Sequence, residues 1–212
     1  MRRFFIILLM LGMVPVMMAQ TMHKATATVS KSMIEKINAT AASIKTISCS
    51  FSQEKKVSML NDKMTSKGMM YYTSAGKLRW EYTSPYSYIL VINNNTVTMK
   101  SGNKKNTVDM SSSKLFQTIA RIMVSSVTGK SLSNSKDFDV TMYTIDNNWV
   151  AHLQPKESNM KKMFKYIRLY FNANHTMVSK VEMVEKNGDM TTIRLNKIET
   201  NGQINNSKFS VN

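Results

Sequence analysis

Residues 47–93 read ISCSFSQEKKVSMLNDKMTSKGMMYYTSAGKLRWEYTSPYSYILVIN, and the alternation within this stretch decides the fold. Ile47, Cys49 and Phe51 alternate with Ser48, Ser50 and Ser52, the two-residue period of a half-buried strand. A second strand over 69–72 follows the break at Lys67-Gly68, and Ser74-Ala75-Gly76 has the length and composition of a hairpin turn. Leu78, Trp80 and Tyr82 then share one face, while Lys77, Arg79 and Glu81 share the other. Ser84-Pro85 closes that strand and 88–92 opens the next. Four consecutive antiparallel strands place Trp80 and its apolar companions side by side, as closed core or as an open apolar surface.

Outward from this stretch, helical and strand periods alternate. Val29, Met33, Ile37, Ala41 and Ile44 recur at helical spacing with Lys31, Glu35, Lys36 and Asn38 opposite, and Thr28 or Ser30 can cap the helix. The preceding 21–26 reads as a small polar leader, and 57–65 as a lysine-bearing connection with Asn61-Asp62 as its turn. Beyond Asn93, Val97 and Met99 mark a further strand on which 104–109 can pair back. Residues 111–127 change period: Leu115, Ile119, Ile122 and Met123 line one face of a helix whose only charges are Lys114 and Arg121. So few charges suit a helix that covers an apolar opening or is itself covered. Strands then return over 138–145, 149–154, 163–172, 177–185 and 191–198, with a last short one over 209–211. Ten or eleven strands at this spacing, with one helix in front and one in the middle, predict a mainly β chain (α+β) folded as an antiparallel barrel or strongly curved sheet.

The first nineteen of the 212 residues read as a secretory signal: basic Arg2-Arg3, an apolar run over 4–14, and Met17-Met18-Ala19 before Gln20. The apolar run is short for a membrane span, an uncleaved anchor being the alternative, and no cysteine stands near the cleavage point to be lipidated. Residues 20–212 are then a single exported domain. Cys49 is the only cysteine, which excludes an intramolecular disulfide and a cysteine-based metal site. The formal charge of +16 favours phosphate-rich or acidic partners. Export sets nucleic acid aside in favour of lipid or protein, although scattered lysines also fit an ordinary surface in an Asn-, Lys- and Ile-rich chain.

Catalytic chemistry is not indicated. His23, His152 and His175 fall in the leader, a strand and a turn, outside metal-ligand spacing, and Asp137 and Asp139 fit a solvated strand edge. No HExxH, GxSxG or P-loop string occurs. The chain reads as a non-enzyme with no cofactor. Its conspicuous residue is methionine, twenty in all, of which Met1, Met10, Met13, Met17 and Met18 belong to the signal. An unbranched, polarizable side chain adapts to ligands of variable shape, and it equally fills gaps in a core.

The order of these pieces resembles the LolA family, the periplasmic carriers of outer-membrane lipoproteins. The matching strings are Ile47-Ser-Cys-Ser-Phe-Ser-Gln53, similar to an F-x-Q entry strand, the G-x-x-x-Y strand opened by Gly68, and Lys77-Leu-Arg-Trp-Glu-Tyr-Thr-Ser-Pro85, similar to an RWxYxxP signature. Phe116 and Ile119-Ala-Arg121 sit where the family has a lid helix, and Ile198-Glu-Thr-Asn201 with Ile204 and Phe209 fits its closing strands. The resemblance implies an incomplete antiparallel barrel of about eleven strands, with helices forming a lid over an apolar cavity. It implies a monomeric carrier that takes acylated lipoproteins from an inner-membrane transporter to an outer-membrane acceptor. A lipid- or lipoprotein-sensing or protein-interaction module of the same fold is the alternative. By position Leu78 and Trp80 become cavity residues, with Phe51, Met70, Tyr72 and Tyr82 in the wall and Ile119 and Met123 in the lid. A cavity wall and a core wall have the same composition, so core packing stands beside that reading. Members of the family carry an Arg-Pro pair before the signature whose Arg latches the lid. Here Ser74 and Ala75 stand there, which implies a latch that is absent or replaced by Lys77 or Arg79, and no longer C-terminal tail follows Asn212.

Overall fold

The computed structural model describes residues 21–60, 62–109, 132 and 137–211. The chain enters through β1 (Met22–Lys24) and α1 (Ala27–Ser43), then runs through β2 (Thr46–Val57), β3 (Asp62–Thr73), β4 (Lys77–Ser84), β5 (Tyr88–Asn93), β6 (Thr96–Ser101) and β7 (Lys104–Asp109). It continues through β8 (Phe138–Ile145), β9 (Asn148–Pro155), a short α2 (Ser158–Met163), β10 (Phe164–Phe171), β11 (Val178–Glu185) and β12 (Met190–Thr200), and ends in a 3-10 turn (Asn206–Phe209). All twelve described strands join one sheet in the order β1-β8-β9-β10-β11-β12-β2-β3-β4-β5-β6-β7, every pair antiparallel. The sheet is open, with β1 and β7 at its two ends.

The halves of the chain meet where β12 pairs with β2, Leu195 opposite Phe51 and Ile193 opposite Gln53. Inner-face residues of both halves, from Phe51 and Trp80 to Met142 and Ile167, form a single buried cluster. A sheet whose distant strands share one core must curve round it, which is the incomplete-barrel architecture expected from the strand spacing. Helix α1 buries Met33, Ile37 and Ala41 in that core, as the helical spacing predicts. Its N-cap is Thr26 rather than Thr28 or Ser30, its hydroxyl oxygen accepting from the Val29 N–H at 3.4 Å, and Val29, expected on the buried face, is exposed.

Four local expectations change. The leader holds a strand, because His23 pairs with Thr144 at the edge of β8. The connection between β2 and β3 is far shorter than 57–65, since pairing runs out to Val57 opposite Asp62. Backbone pairing makes these residues strand although neither face there is consistently buried, so alternation gave no sign of it. The turn before β10 is helical over Ser158–Met163. The closing segment over 209–211 is not a strand; it packs Phe209 and Val211 on the outer face of the sheet, against Val91. The helix expected over 111–127 lies outside the described residues.

Candidate functional site

The site is built on the inner faces of β2, β3 and β4. Register puts Met70 opposite both Cys49 and Trp80, and Tyr72 opposite both Ile47 and Leu78, so the three strands present one contiguous apolar panel. Phe51, Met70, Tyr72, Leu78 and Trp80 are all buried there, with Tyr82 half-buried at the margin. Phe51 and Trp80 stack at 4.2 Å between ring centres, and Tyr82 meets Phe51 edge-on at 5.3 Å. Tyr82 lies 5.8 Å from Tyr86 and 6.2 Å from Tyr88, so the rings continue from the buried stack to exposed Tyr86.

Gly68 makes the stack fit. A Cβ there would lie 2.0 Å from the Glu81 carbonyl oxygen and 2.4 Å from the Phe51 ring, and the register shift between Lys67 and Gly68 sits at the same point. The wall contains little polarity. The Tyr82 hydroxyl donates to Gln53 Oε1 at 3.0 Å, and burial pushes the Tyr72, Tyr82 and Tyr88 hydroxyls above their ordinary 10.0, which keeps them neutral. Such a surface offers carbon and neutral donors, a composition common to a packed core and to an apolar binding wall.

All six sequence-designated wall residues that fall within the described residues are therefore brought together on one face. Ile119 and Met123 lie outside them. Arg79 and Lys77 point the other way and hold the C-terminal segment. The Arg79 Nη1 donates to the carbonyls of Lys208 and Ser210 at 3.1 and 3.2 Å, its Nε pairs with Glu81 at 2.7 Å, and Lys77 donates to Asn206 at 3.3 Å. Both side chains are thus engaged on the outer face, and the lid they would latch lies outside the described residues.

The outer face of β9 to β11 carries a polar and aromatic lattice that sequence reasoning passed over. His152 lies 4.8 Å from the Tyr166 ring and accepts from Arg168 Nε at 3.3 Å, while Arg168 covers Tyr166 at 4.5 Å. Lys180 sits 3.5 Å over Tyr170 and pairs with Glu182 at 2.8 Å, and the Tyr170 hydroxyl donates to Glu182 at 2.6 Å. Burial, then the neighbouring Arg168 charge, lowers His152. His175 stacks on Trp149 at 4.1 Å, and Asp139 pairs with Lys156 at 3.5 Å. Among the described residues no group of three or more His, Cys, Asp or Glu could hold a metal ion.

The family model of the outer membrane lipoprotein carrier protein LolA matches residues 42–212. The chain belongs to the LolA family. No curated protein sequence matches it. Solved structures share the fold at very low identity. An uncharacterized conserved protein from Thermus thermophilus is 8% identical with a TM-score of 0.53, over 85% of this chain and 92% of that one. The Pseudomonas aeruginosa MucA/MucB complex gives 8% identity and a TM-score of 0.50, over 87% of this chain and 61% of that one. The LolA superfamily protein NE2245 from Nitrosomonas europaea is 9% identical with a TM-score of 0.47, over 86% and 97%. This chain has the open antiparallel sheet of a LolA-like incomplete barrel, and the family's description is that of a carrier.

Proposed function

We propose that this LolA-family protein is a periplasmic carrier that binds the acyl chains of lipoproteins against the inner wall of its sheet and ferries them between the two membranes. The observation that carries this reading is the ring path from the Phe51–Trp80 stack through Tyr82 to exposed Tyr86, a nearly all-carbon surface running from the core to the rim. A carrier is needed because one long acyl chain left in water costs on the order of 10 kcal/mol. Delivery requires that the carrier bind less tightly than the acceptor. Unbranched Met70, beside Trp80 on the neighbouring strand, suits a wall that repacks when cargo leaves. Leu78, Met70, Tyr72 and Phe51 form the wall in this reading, with Tyr82 at its mouth.

The test is native mass spectrometry of the protein purified from its own envelope, beside Tyr82→Glu. The wild type is expected to carry a mass increment of lipoprotein or lipid. The variant places a carboxylate at the half-exposed mouth and is expected to lose the increment while melting within a few degrees of the wild type. A wild type that emerges at its bare mass, or a folded variant that keeps full cargo, would sink the assignment. The first result would favour the protein-interaction alternative.

A further inference from the structure

Met59 is 92% exposed, Leu60 73% and Met64 55%, all at the tip of the β2–β3 hairpin. Of six exposed large apolar side chains among the described residues, five lie at this end of the sheet, Tyr86 and Met163 being the others. The register explains the gathering. Lys67 opposite Ser84 brings the β4–β5 turn to this end, and Lys56 opposite Met190 and Glu185 opposite Phe164 bring the β11–β12 turn and the end of α2.

The tip is braced. The Ser58 N–H donates to Asp189 Oδ1 at 3.0 Å, and Lys55 bridges Glu185 at 3.0 Å and Asp189 at 3.5 Å. Gly188, at φ +92°, lets the two turns abut, since a Cβ there would lie 3.1 Å from the Ser58 hydroxyl. Exposed greasy side chains on a braced projection ask for a partner. Around them stand Lys56 and Lys67, exposed and without ion partners among the described residues, and Lys63, which pairs only loosely with Glu54 at 4.0 Å while the Asp62 carboxylate beside it accepts from the Lys63 backbone N–H at 2.7 Å.

We propose that this end of the sheet seats on an anionic phospholipid bilayer, Met59 and Leu60 entering the acyl boundary while Lys56, Lys63 and Lys67 meet the phosphates. Charge complementarity selects the partner. Protein interfaces exclude lysine from their centres in favour of aromatic and arginine anchors, whereas lysine stems lie along inserted apolar groups and keep their ammonium at the headgroups. Two neighbouring unbranched or γ-branched side chains are too small for a protein-interface core and sufficient for a reversible membrane contact when basic residues assist. The inference stands on the tip alone and holds whether or not the inner wall carries acyl chains. Tyr86 adds that the ring path emerges on the docking end.

The test is co-sedimentation of the full chain with protein-free vesicles of phosphatidylethanolamine and phosphatidylglycerol, against vesicles of phosphatidylcholine alone. The wild type is expected to prefer the anionic vesicles, and Met59→Ser with Leu60→Ser to weaken that binding roughly tenfold or more. Lys56→Gln with Lys67→Gln should weaken it at low salt, the gap closing as salt rises. Both positions of the tip variant are solvent-exposed, so its thermal melt should match the wild type. Separately, Met59→Trp should show blue-shifted emission on anionic vesicles. Equal partitioning of wild type and tip variant overturns the inference, as does binding only to vesicles that contain envelope proteins, which would mean a protein receptor.

Discussion

On the inner face Phe51, Trp80 and Tyr82 meet carbon and one another, with the polarity confined to the Tyr82 hydroxyl and its Trp80 and Gln53 partners. On the outer face of β9 to β11 the rings of Tyr166, Tyr170 and His152 are each met by a charged group: Arg168 covers Tyr166 and donates to His152, and Lys180 and Glu182 flank Tyr170. The same residue class on the same sheet thus does two jobs. Rings packed on carbon have no directional bond to break, which under the proposed carrier function lets the inner wall yield and re-form around other carbon. Rings fixed by directional partners have one arrangement, because moving any member leaves a half-buried charge without its hydrogen bonds. In that reading the sheet is soft inside and pinned outside.

The sharpest way to break this comparison is Phe51→Ala. Removing the ring that spans Trp80, Tyr82 and the gap over Gly68 should destabilise the fold by about 3–5 kcal/mol in urea titration. A loss at the lower end of that range would mean that the wall collapses into the space, which the soft-wall view requires. Arg79→Ala comes next. It removes a largely buried ion pair with Glu81 and two hydrogen bonds to the C-terminal segment, with an expected loss of about 2 kcal/mol. Limited proteolysis should then cut first within 204–211. Cleavage elsewhere, with that segment still protected, would show that Phe209 and Val211 hold it without the arginine.

Tyr170→Phe has the smallest expected effect, about 1 kcal/mol near neutral pH, and the most telling pH dependence. Burial and then the Glu182 carboxylate push the Tyr170 hydroxyl from 10.0 up to about 12. Its contribution is therefore complete below pH 10 and lost as pH rises through about 12. For Glu182, burial works to raise the carboxyl, but the hydrogen bonds from Lys180 and Tyr170 outweigh it and hold it below its ordinary 4.5. That contribution is present above 4.5 and lost as pH falls through the lower folded value. The difference between wild type and variant should thus be largest in the middle of the pH range and shrink at both ends. A difference constant across pH would place the hydroxyl's role in packing alone.

The inner wall was legible because its residues lie in one string. Leu78, Trp80 and Tyr82 alternate with charges, and the Ile47–Phe51 strand alternates with serines, so a period of two sufficed to put them on one face. The outer lattice was not legible. Its partners come from three strands, Arg168 from β10, His152 from β9 and Glu182 from β11, and only cross-strand register brings them together. The hairpin tip reads as a long connection in the sequence for a related reason. Where both faces of a strand are wet, side chains carry no period, and pairing of the backbone is the only sign. Three-residue β1 and six-residue α2 are too short for any period to show.

Cys49, which faces Met70 in the middle of the soft wall, has a redox consequence. Burial pushes its thiol up to about 12, so at neutral pH it holds its proton, and it is the thiolate that attacks disulfides and peroxides. In an oxidising medium the folded chain therefore presents an inert sulfur, unable to bridge two copies or to be capped by small disulfides while the wall stays shut. The chain's only thiol is thus hidden on the very surface that the proposed carrier function requires to open.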